Sequence, residues 1–126
     1  MDRSILKGQT ILVVEGEPPL ALELRTTLEE AGAEVFVARE ATEALARIDQ
    51  LEFTAGVIDW RPESDGHRRI ARALRQRGVR FLFYATHTPE DVTTVRGAPI
   101  FLKPAHPQEI VQAVALLTGA LGDRRG

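Results

Sequence analysis

Short apolar runs alternate with segments of helical periodicity along the chain, and this alternation constrains the fold more than any other feature. The runs are nearly continuous, without the polar alternation of a half-exposed strand, so they predict strands buried on both faces. They occupy residues 10–14, 35–38, 53–59, 79–84 and 100–102. Strands separated by helices form a parallel sheet with right-handed crossovers, which places helices on both faces. The sequence therefore predicts an α/β domain with a doubly wound, five-stranded parallel sheet.

Five helices are predicted between and after these runs. Pro18 and Pro19 suit a first helical turn, and Gly32 offers a left-handed stop. Thr88 offers an N-cap for a short fourth helix, and Pro107 opens the fifth. The apolar stripes of the five helices run from Leu20 to Leu28, Ala41 to Leu51, Ile70 to Leu74, Val92 to Val95 and Ile110 to Leu121.

Size and composition exclude several classes of protein. The 126 residues are the size of one domain, and we expect residues 1–126 to form a single domain. No apolar run is long enough to cross a bilayer, so no membrane association is expected. The chain has no cysteine, which excludes disulfides and Cys-ligated metals and favours a cytoplasmic location. Its net charge of −2 gives no general attraction to nucleic acid, and the basic segment 61–80 is typical of a solvated helix face.

Charged residues stand at the carboxyl ends of three predicted strands. Glu15 follows the first strand, Asp59 ends the third, and Lys103 follows the fifth. Because parallel strands present their carboxyl ends at one edge, where ligands bind at the switch in strand order, we expect the three side chains to converge. The acids could hold Mg²⁺ while the lysine binds a phosphoryl oxygen. Glu15 alone could equally stabilise a helix start or lie on the surface.

The segments that carry these charges also match a family. Ile11–Pro18, Val57–Asp59 and Phe101–Pro104, in this order within five alternating units, resemble the receiver domain of two-component response regulators. The resemblance covers roughly residues 8–120 of the chain. It implies a flavodoxin-like fold of the receiver type, with five strands and five helices. We expect a single-domain response regulator with no output domain.

The resemblance further implies a function in a two-component phosphorelay. Asp59 would accept a phosphoryl group from a histidine kinase or a phosphotransfer protein, and Lys103 would contact the phosphate. Glu15, Asp59 and the backbone carbonyl of Arg61 would hold Mg²⁺, with Glu17 as a further candidate ligand. A downstream protein would bind the face of the fourth helix, fifth strand and fifth helix, and a homodimer is a candidate assembly. No enzymatic activity on an external substrate is expected.

Several positions depart from the receiver pattern. Gly16 stands where the family has a second metal-binding acid, and we therefore expect Mg²⁺ to bind weakly. At the switch position, normally threonine or serine, the chain offers Ala85 or Thr86, depending on the register of the fourth strand. Ile100 replaces the usual aromatic residue before the lysine, and the loop 61–66 lacks the proline usually found four residues after the acceptor.

These departures favour an alternative, a degenerate pseudo-receiver that binds protein partners independently of phosphorylation. A third hypothesis, a metal-assisted phosphatase or hydrolase, lacks an identifiable nucleophile and base pair or metal cluster. The three histidines have no metal-ligand spacing, so we expect His67 and His87 on the surface and His106 at a helix start. Trp60 is expected to cover the loop after Asp59.

Overall fold

In the computed structural model, residues 4–61, 65–86 and 98–119 are described. Their elements are β1 (Thr10–Val14), α1 (Pro18–Glu30), β2 (Glu34–Ala38), α2 (Ala41–Gln50), β3 (Ala55–Trp60), α3 (Gly66–Gln76), β4 (Arg80–Ala85), β5 (Ile100–Leu102) and α4 (Pro107–Thr118). The predicted helix of residues 88–95 and His87 lie outside the described residues, so the fifth predicted helix is α4. Within those residues, no helix combines the length and apolar character that crossing a membrane requires.

The strands form one parallel sheet in the order β2-β1-β3-β4-β5. β1 pairs with both β2 and β3, so the direction of strand order reverses at β1. The register sets Val14 beside Ile58 and Asp59 beside Tyr84. The carboxyl ends of β1 and β3 therefore meet at the switch point, where ligands bind in open α/β sheets. The predicted doubly wound, five-stranded parallel sheet is confirmed.

Alternate residues of each strand pack into two apolar layers, one on each face of the sheet. In β1, Ile11 and Val13 are buried in the layer that α1 and α4 cover. Leu12 and Val14 are buried in the opposite layer, which α2 and α3 cover. Because helices cover both faces, neither side of a strand needs polar residues, which explains the continuous apolar runs in the sequence.

The third strand differs from its predicted bounds at both ends. Phe53 is buried and packs edge-on against Phe36, with ring centroids 5.9 Å apart, but β3 begins only at Ala55. β3 then continues one residue past the acid, because Trp60 pairs with Ala85 of β4. β4 likewise ends one residue later than predicted. An apolar run marks burial, whereas backbone pairing decides where a strand starts and ends.

Helix ends coincide with residues suited to cap them. Beyond α1, Gly32 has a φ of 106°, the left-handed conformation expected at a helix stop. His106 precedes α4, and its Nδ1 accepts a hydrogen bond from the Gln108 backbone N–H at 3.1 Å, which confirms the predicted place of this histidine at a helix start. α4 ends before Gly119, whose φ is 81°. The last residue of the predicted stripe lies beyond the described part of the chain.

Candidate functional site

The three charged residues predicted at strand ends meet at the carboxyl edge of the sheet. Lys103 Nζ lies 2.9 Å from Asp59 Oδ1 and 3.0 Å from Glu15 Oε1. The side chains are 13% exposed for Lys103, 8% for Asp59 and 1% for Glu15. The lysine therefore bridges two buried carboxylates, and the alternative of Glu15 as a surface acid is wrong.

Sheet hydrogen bonds fix the backbone of each of these residues. The Glu15 N–H donates to the last carbonyl of β2 at 2.9 Å, which continues the β1 ladder by one residue. The Lys103 N–H donates to the Ala85 carbonyl at 2.8 Å and likewise continues β5. Asp59 lies within β3 itself. The peptide bond between Lys103 and Pro104 is cis. The charges thus converge because three parallel strands hold them at one edge.

Tyr84, which was not among the predicted site residues, supports the lysine from β4. Its ring is buried, and Lys103 Nζ lies over it, 5.5 Å from the ring centroid, where the ring face attracts a cation. The Tyr84 hydroxyl accepts a hydrogen bond from the Ala105 N–H at 2.9 Å, which ties β4 to the segment after Lys103. The signal in the sequence was a phenol within an apolar strand, because a buried hydroxyl needs a polar partner.

Arg61 approaches the acceptor position from the opposite side. Its Nε lies 2.7 Å from Asp59 Oδ2, and its side chain is 51% exposed. From the sequence, only the backbone carbonyl of Arg61 was predicted at the site, as a metal ligand, and the contact of its guanidinium was not. A cation two residues after the acid was the available signal. Each oxygen of Asp59 consequently faces a cation, Lys103 on Oδ1 and Arg61 on Oδ2.

The ionisation of Lys103 reflects opposing influences. Burial lowers the pKa of Lys103, but the hydrogen bonds and charges of Asp59 and Glu15 together raise it above the ordinary value of 10.5. The ammonium is therefore charged at neutral pH. Because the pKa of Lys103 is higher in the folded state than in the unfolded state, the charged lysine stabilises the fold fully at pH values below its unfolded-state pKa. This stabilisation is lost as the pH rises through the folded-state pKa.

Gly16 leaves a space beside the acceptor that the Arg61 guanidinium borders. A Cβ at Gly16 would lie 3.6 Å from Arg61 Nη2 and 3.1 Å from the Arg39 carbonyl oxygen. The guanidinium thus stands next to the position where the receiver pattern has a second acid. Glu17 is exposed, and its backbone N–H donates to Glu15 Oε2 at 3.2 Å. Glu15 therefore contacts the start of α1 as well as the lysine.

The carboxylates at this edge do not fit a Mg²⁺ ion as they are arranged. Mg²⁺ requires oxygen ligands in near-octahedral geometry. Both oxygens of Asp59 face cations, and those of Glu15 face the Lys103 ammonium and the backbone N–H of Glu17. The glycine after Glu15 adds no side-chain oxygen. Among the described residues, no group of three or more His, Cys, Asp or Glu side chains is placed to hold a metal.

The two candidate switch residues lie at the same edge. Ala85 is the last residue of β4 and is buried, whereas Thr86 follows the strand and is exposed. Ile100 opens β5 and packs against the layer beneath α2 and α3. The assignment of the switch to Ala85 or Thr86 stays a prediction.

His67 is buried rather than on the surface, so that prediction is wrong. It lies in the first turn of α3 with an exposure of 7%. Its ring packs edge-on against Trp60 and Phe83, with centroids 5.1 and 5.9 Å away. The start of α3 at Gly66 turns position 67 toward the sheet. Beside this aromatic cluster, a cavity of about 360 Å³ reaches Asp59 and is also lined by Gly16 and both Arg39 and Arg61.

Solved structures share this architecture over most of the chain. The receiver domain of the Francisella response regulator 1452 is 24% identical, with a TM-score of 0.75 over 88% of this chain and 97% of that one. The CheY-like response regulator receiver domain protein of Methanospirillum hungatei JF-1 is 22% identical, with a TM-score of 0.79 over 92% and 98%. The chain has the receiver-domain fold. TrrA of Thermotoga maritima, a response regulator solved in complex with Mg²⁺ and BeF, shares the receiver fold at 22% identity and a TM-score of 0.75, over 86% and 98%.

Sequence comparison adds a curated relative with a longer chain. No family model matches the sequence. The transcriptional regulatory protein TcrA of Mycobacterium tuberculosis, in two strains, is 35% identical over 94 residues, which are 74% of this chain and 34% of TcrA. The chain thus spans about a third of the length of the curated relatives it matches. The predicted resemblance to receiver domains of response regulators is confirmed.

Proposed function

We propose that this receiver domain works in a two-component phosphorelay and accepts a phosphoryl group on Asp59 from a histidine kinase or a phosphotransfer protein. The observation that carries the proposal is the contact of 2.9 Å between Asp59 and Lys103 at the switch edge of the sheet. A cavity of about 360 Å³ opens beside Asp59 and gives a phosphodonor group access to the carboxylate. The function is signalling through protein contacts, without turnover of an external substrate.

In the proposed transfer, a carboxylate oxygen of Asp59 attacks phosphorus and forms a new O–P bond. The bond from phosphorus to the donor atom breaks, and the donor leaves with the electron pair. Negative charge then resides on the phosphoryl oxygens. Lys103, already 2.9 Å from Asp59, would bind one of them as a charge-assisted donor. Glu15 would hold the ammonium in place through its contact of 3.0 Å.

Mg²⁺ binding is proposed to be weak. The predicted ligands are Glu15, Asp59 and the Arg61 carbonyl, with Glu17 as a further candidate, and the donors on the two carboxylates compete with a metal. The switch role is proposed for Thr86 or Ala85, both at the end of β4.

A downstream protein is proposed to bind the face formed by β5 and α4 together with the predicted helix before them. Two exposed apolar side chains support this choice, Leu102 at the end of β5 and Leu116 on α4, with exposures of 50% and 60%. Leu102 precedes Lys103 at the acceptor edge, and exposed leucines provide apolar area for a protein contact. A homodimer through the same face is the other proposed assembly.

Phosphorylation of Asp59 is tested by incubating the chain with acetyl phosphate and measuring intact mass. The wild type should gain the mass of one phosphoryl group, and Asp59→Asn should gain none. The matched control is Asp49→Asn, which removes an exposed aspartate that pairs with Arg77 at 3.3 Å far from the edge. An unmodified wild type, or equal modification of Asp59→Asn, contradicts the proposal.

A second candidate function is a pseudo-receiver that binds its partner whether or not Asp59 is phosphorylated. The observation that favours it is the Arg61 guanidinium on Asp59 Oδ2 at 2.7 Å, beside the glycine at position 16. This function predicts equal partner affinity for wild type and Asp59→Asn. A large loss of affinity in Asp59→Asn would exclude it.

A further inference from the structure

Asp59 lies between two cations that differ in their surroundings. Lys103 is 13% exposed and sits between two carboxylates, whereas Arg61 is 51% exposed and contacts Asp59 Oδ2 at 2.7 Å. We propose that the Arg61 guanidinium takes the position of the divalent cation at this site, so that Asp59 is phosphorylated without a metal. The inference rests on the proposed function for its phosphoryl step, whereas its charge argument concerns Asp59 and Arg61 alone.

The charges at the edge balance without a metal. Asp59 and Glu15 contribute two negative charges, and Lys103 and Arg61 contribute two positive charges within 3.0 Å of them. A Mg²⁺ ion binds oxygen at about 2.0–2.1 Å. It would have to displace Arg61 from Asp59 Oδ2 and would meet a cluster that is already neutral. The guanidinium therefore weakens Mg²⁺ binding by position and by charge.

The glycine at position 16 and the arginine at position 61 complement each other. A Cβ at Gly16 would lie 3.6 Å from Arg61 Nη2, so the two positions are neighbours in space. An acid at position 16 would add a third negative charge, which a divalent cation could neutralise. With glycine there, one guanidinium is sufficient to neutralise the charge of the site. The absence of an acid at position 16 and the presence of an arginine at position 61 therefore compensate each other.

Because Arg61 is half-exposed, its guanidinium can stay beside the negative charge as this charge passes from the Asp59 carboxylate to the phosphoryl oxygens. Because its side chain is 51% exposed, the guanidinium has room to turn from Asp59 Oδ2 toward a phosphoryl group bonded to the same carboxylate. Its planar array of donors matches phosphoryl oxygens in bidentate fashion. Arg61 and Lys103 would then hold the transferred group from opposite sides. The step is the attack of the Asp59 carboxylate on the phosphorus of acetyl phosphate, with acetate leaving with the electron pair.

The first experiment measures Mg²⁺ binding from the fluorescence of Trp60, the only tryptophan of the chain and the neighbour of Asp59. In Arg61→Gln the dissociation constant for Mg²⁺ should fall about tenfold relative to wild type, because a repelling cation is removed. Arg61→Lys, which keeps the charge, should bind Mg²⁺ as weakly as wild type. The matched control Arg77→Gln breaks a distant Arg–Asp pair of 3.3 Å and should change nothing.

Equal Mg²⁺ affinity in wild type and Arg61→Gln would overturn the inference, since an arginine that merely lies on the surface predicts that result. This measurement needs no phosphorylation. It therefore decides whether Arg61 takes the metal position, even for a chain in which Asp59 accepts no phosphoryl group.

The second experiment compares phosphorylation by acetyl phosphate in Mg²⁺ and in EDTA, followed by intact mass. Wild type should react at similar rates in both. In EDTA, Arg61→Gln should react about tenfold more slowly or worse, because one preorganised donor is lost, and Mg²⁺ should partly restore its rate. A wild-type reaction that stops in EDTA contradicts the inference and leaves the proposed function intact. No reaction of wild type in either buffer contradicts the proposed function and the phosphoryl step of the inference, and the Mg²⁺ titration then decides only whether Arg61 takes the metal position.

Discussion

Replacing Lys103 with methionine tests how much the ion cluster contributes to stability. The ammonium contacts Asp59 at 2.9 Å and Glu15 at 3.0 Å, and the lysine side chain is 13% exposed. At an effective dielectric constant near 20, two charges about 3 Å apart attract each other by about 5–6 kcal/mol, and most of this is offset by desolvation of the ions.

The net loss of stability lies between the values for a fully buried and a fully exposed ion pair. Breaking a fully buried ion pair costs about 3–5 kcal/mol, and an exposed pair contributes about 0–1 kcal/mol. Glu15 is almost completely buried and would lose its lysine partner, as in a broken buried pair. Asp59, however, keeps Arg61 as a partner in the variant. We therefore expect Lys103→Met to lower the free energy of unfolding by about 2–3 kcal/mol, which corresponds to a decrease in melting temperature of roughly 10 °C.

Urea and thermal unfolding followed by circular dichroism measure this loss. The chain offers a matched control, because its other lysine, Lys7, is exposed and replacing it with methionine removes the same charge elsewhere. If Lys103→Met is as stable as Lys7→Met, desolvation fully offsets the attraction in the cluster, and a net contribution of about 2–3 kcal/mol is refuted.

Three further predictions concern stability. As pH rises through the raised pKa of Lys103, above 10.5, the difference in unfolding free energy between wild type and Lys103→Met should shrink, and a constant difference from pH 8 to pH 11.5 would contradict this. Tyr84→Phe removes the acceptor of the Ala105 N–H and should lower the free energy of unfolding by about 1 kcal/mol in urea titrations; an unchanged midpoint counts against the bond. Gly32→Ala should lower the free energy of unfolding by about 2–4 kcal/mol, because φ is 106° and the new Cβ would lie 2.9 Å from a backbone nitrogen. Gly8→Ala, at a positive φ but with open space around the new Cβ, should lower it less in the same titration.

The sheet could be predicted from the sequence because strands buried on both faces are continuous apolar runs. The buried residues of β1 are apolar because helices cover both sides of the strand, so the run from Ile11 to Val14 was visible without knowledge of its neighbours. The exact strand ends were not visible. Trp60 belongs to β3 because it pairs with Ala85, and pairing is a property of two segments rather than one.

The candidate site, too, was predictable from the sequence only in part. Glu15, Asp59 and Lys103 were predictable because parallel strands bring their carboxyl ends to one edge. The surroundings of His67 were not, because its burial depends on where α3 begins relative to β3 and β4. The contacts of Tyr84 were not predictable either, since the partner of its hydroxyl lies in a later segment.

By itself, the sequence determined the α/β class, the parallel sheet and the three charges that converge on its edge, because each leaves a local pattern of apolar and charged residues. It also showed that glycine occupies position 16, where the receiver pattern has an acid. Only the tertiary structure placed the Arg61 guanidinium 2.7 Å from Asp59 and beside that glycine. Neither spacing nor composition specifies where a long, half-exposed side chain lies. Its position follows from the charges that the folded chain brings within its reach.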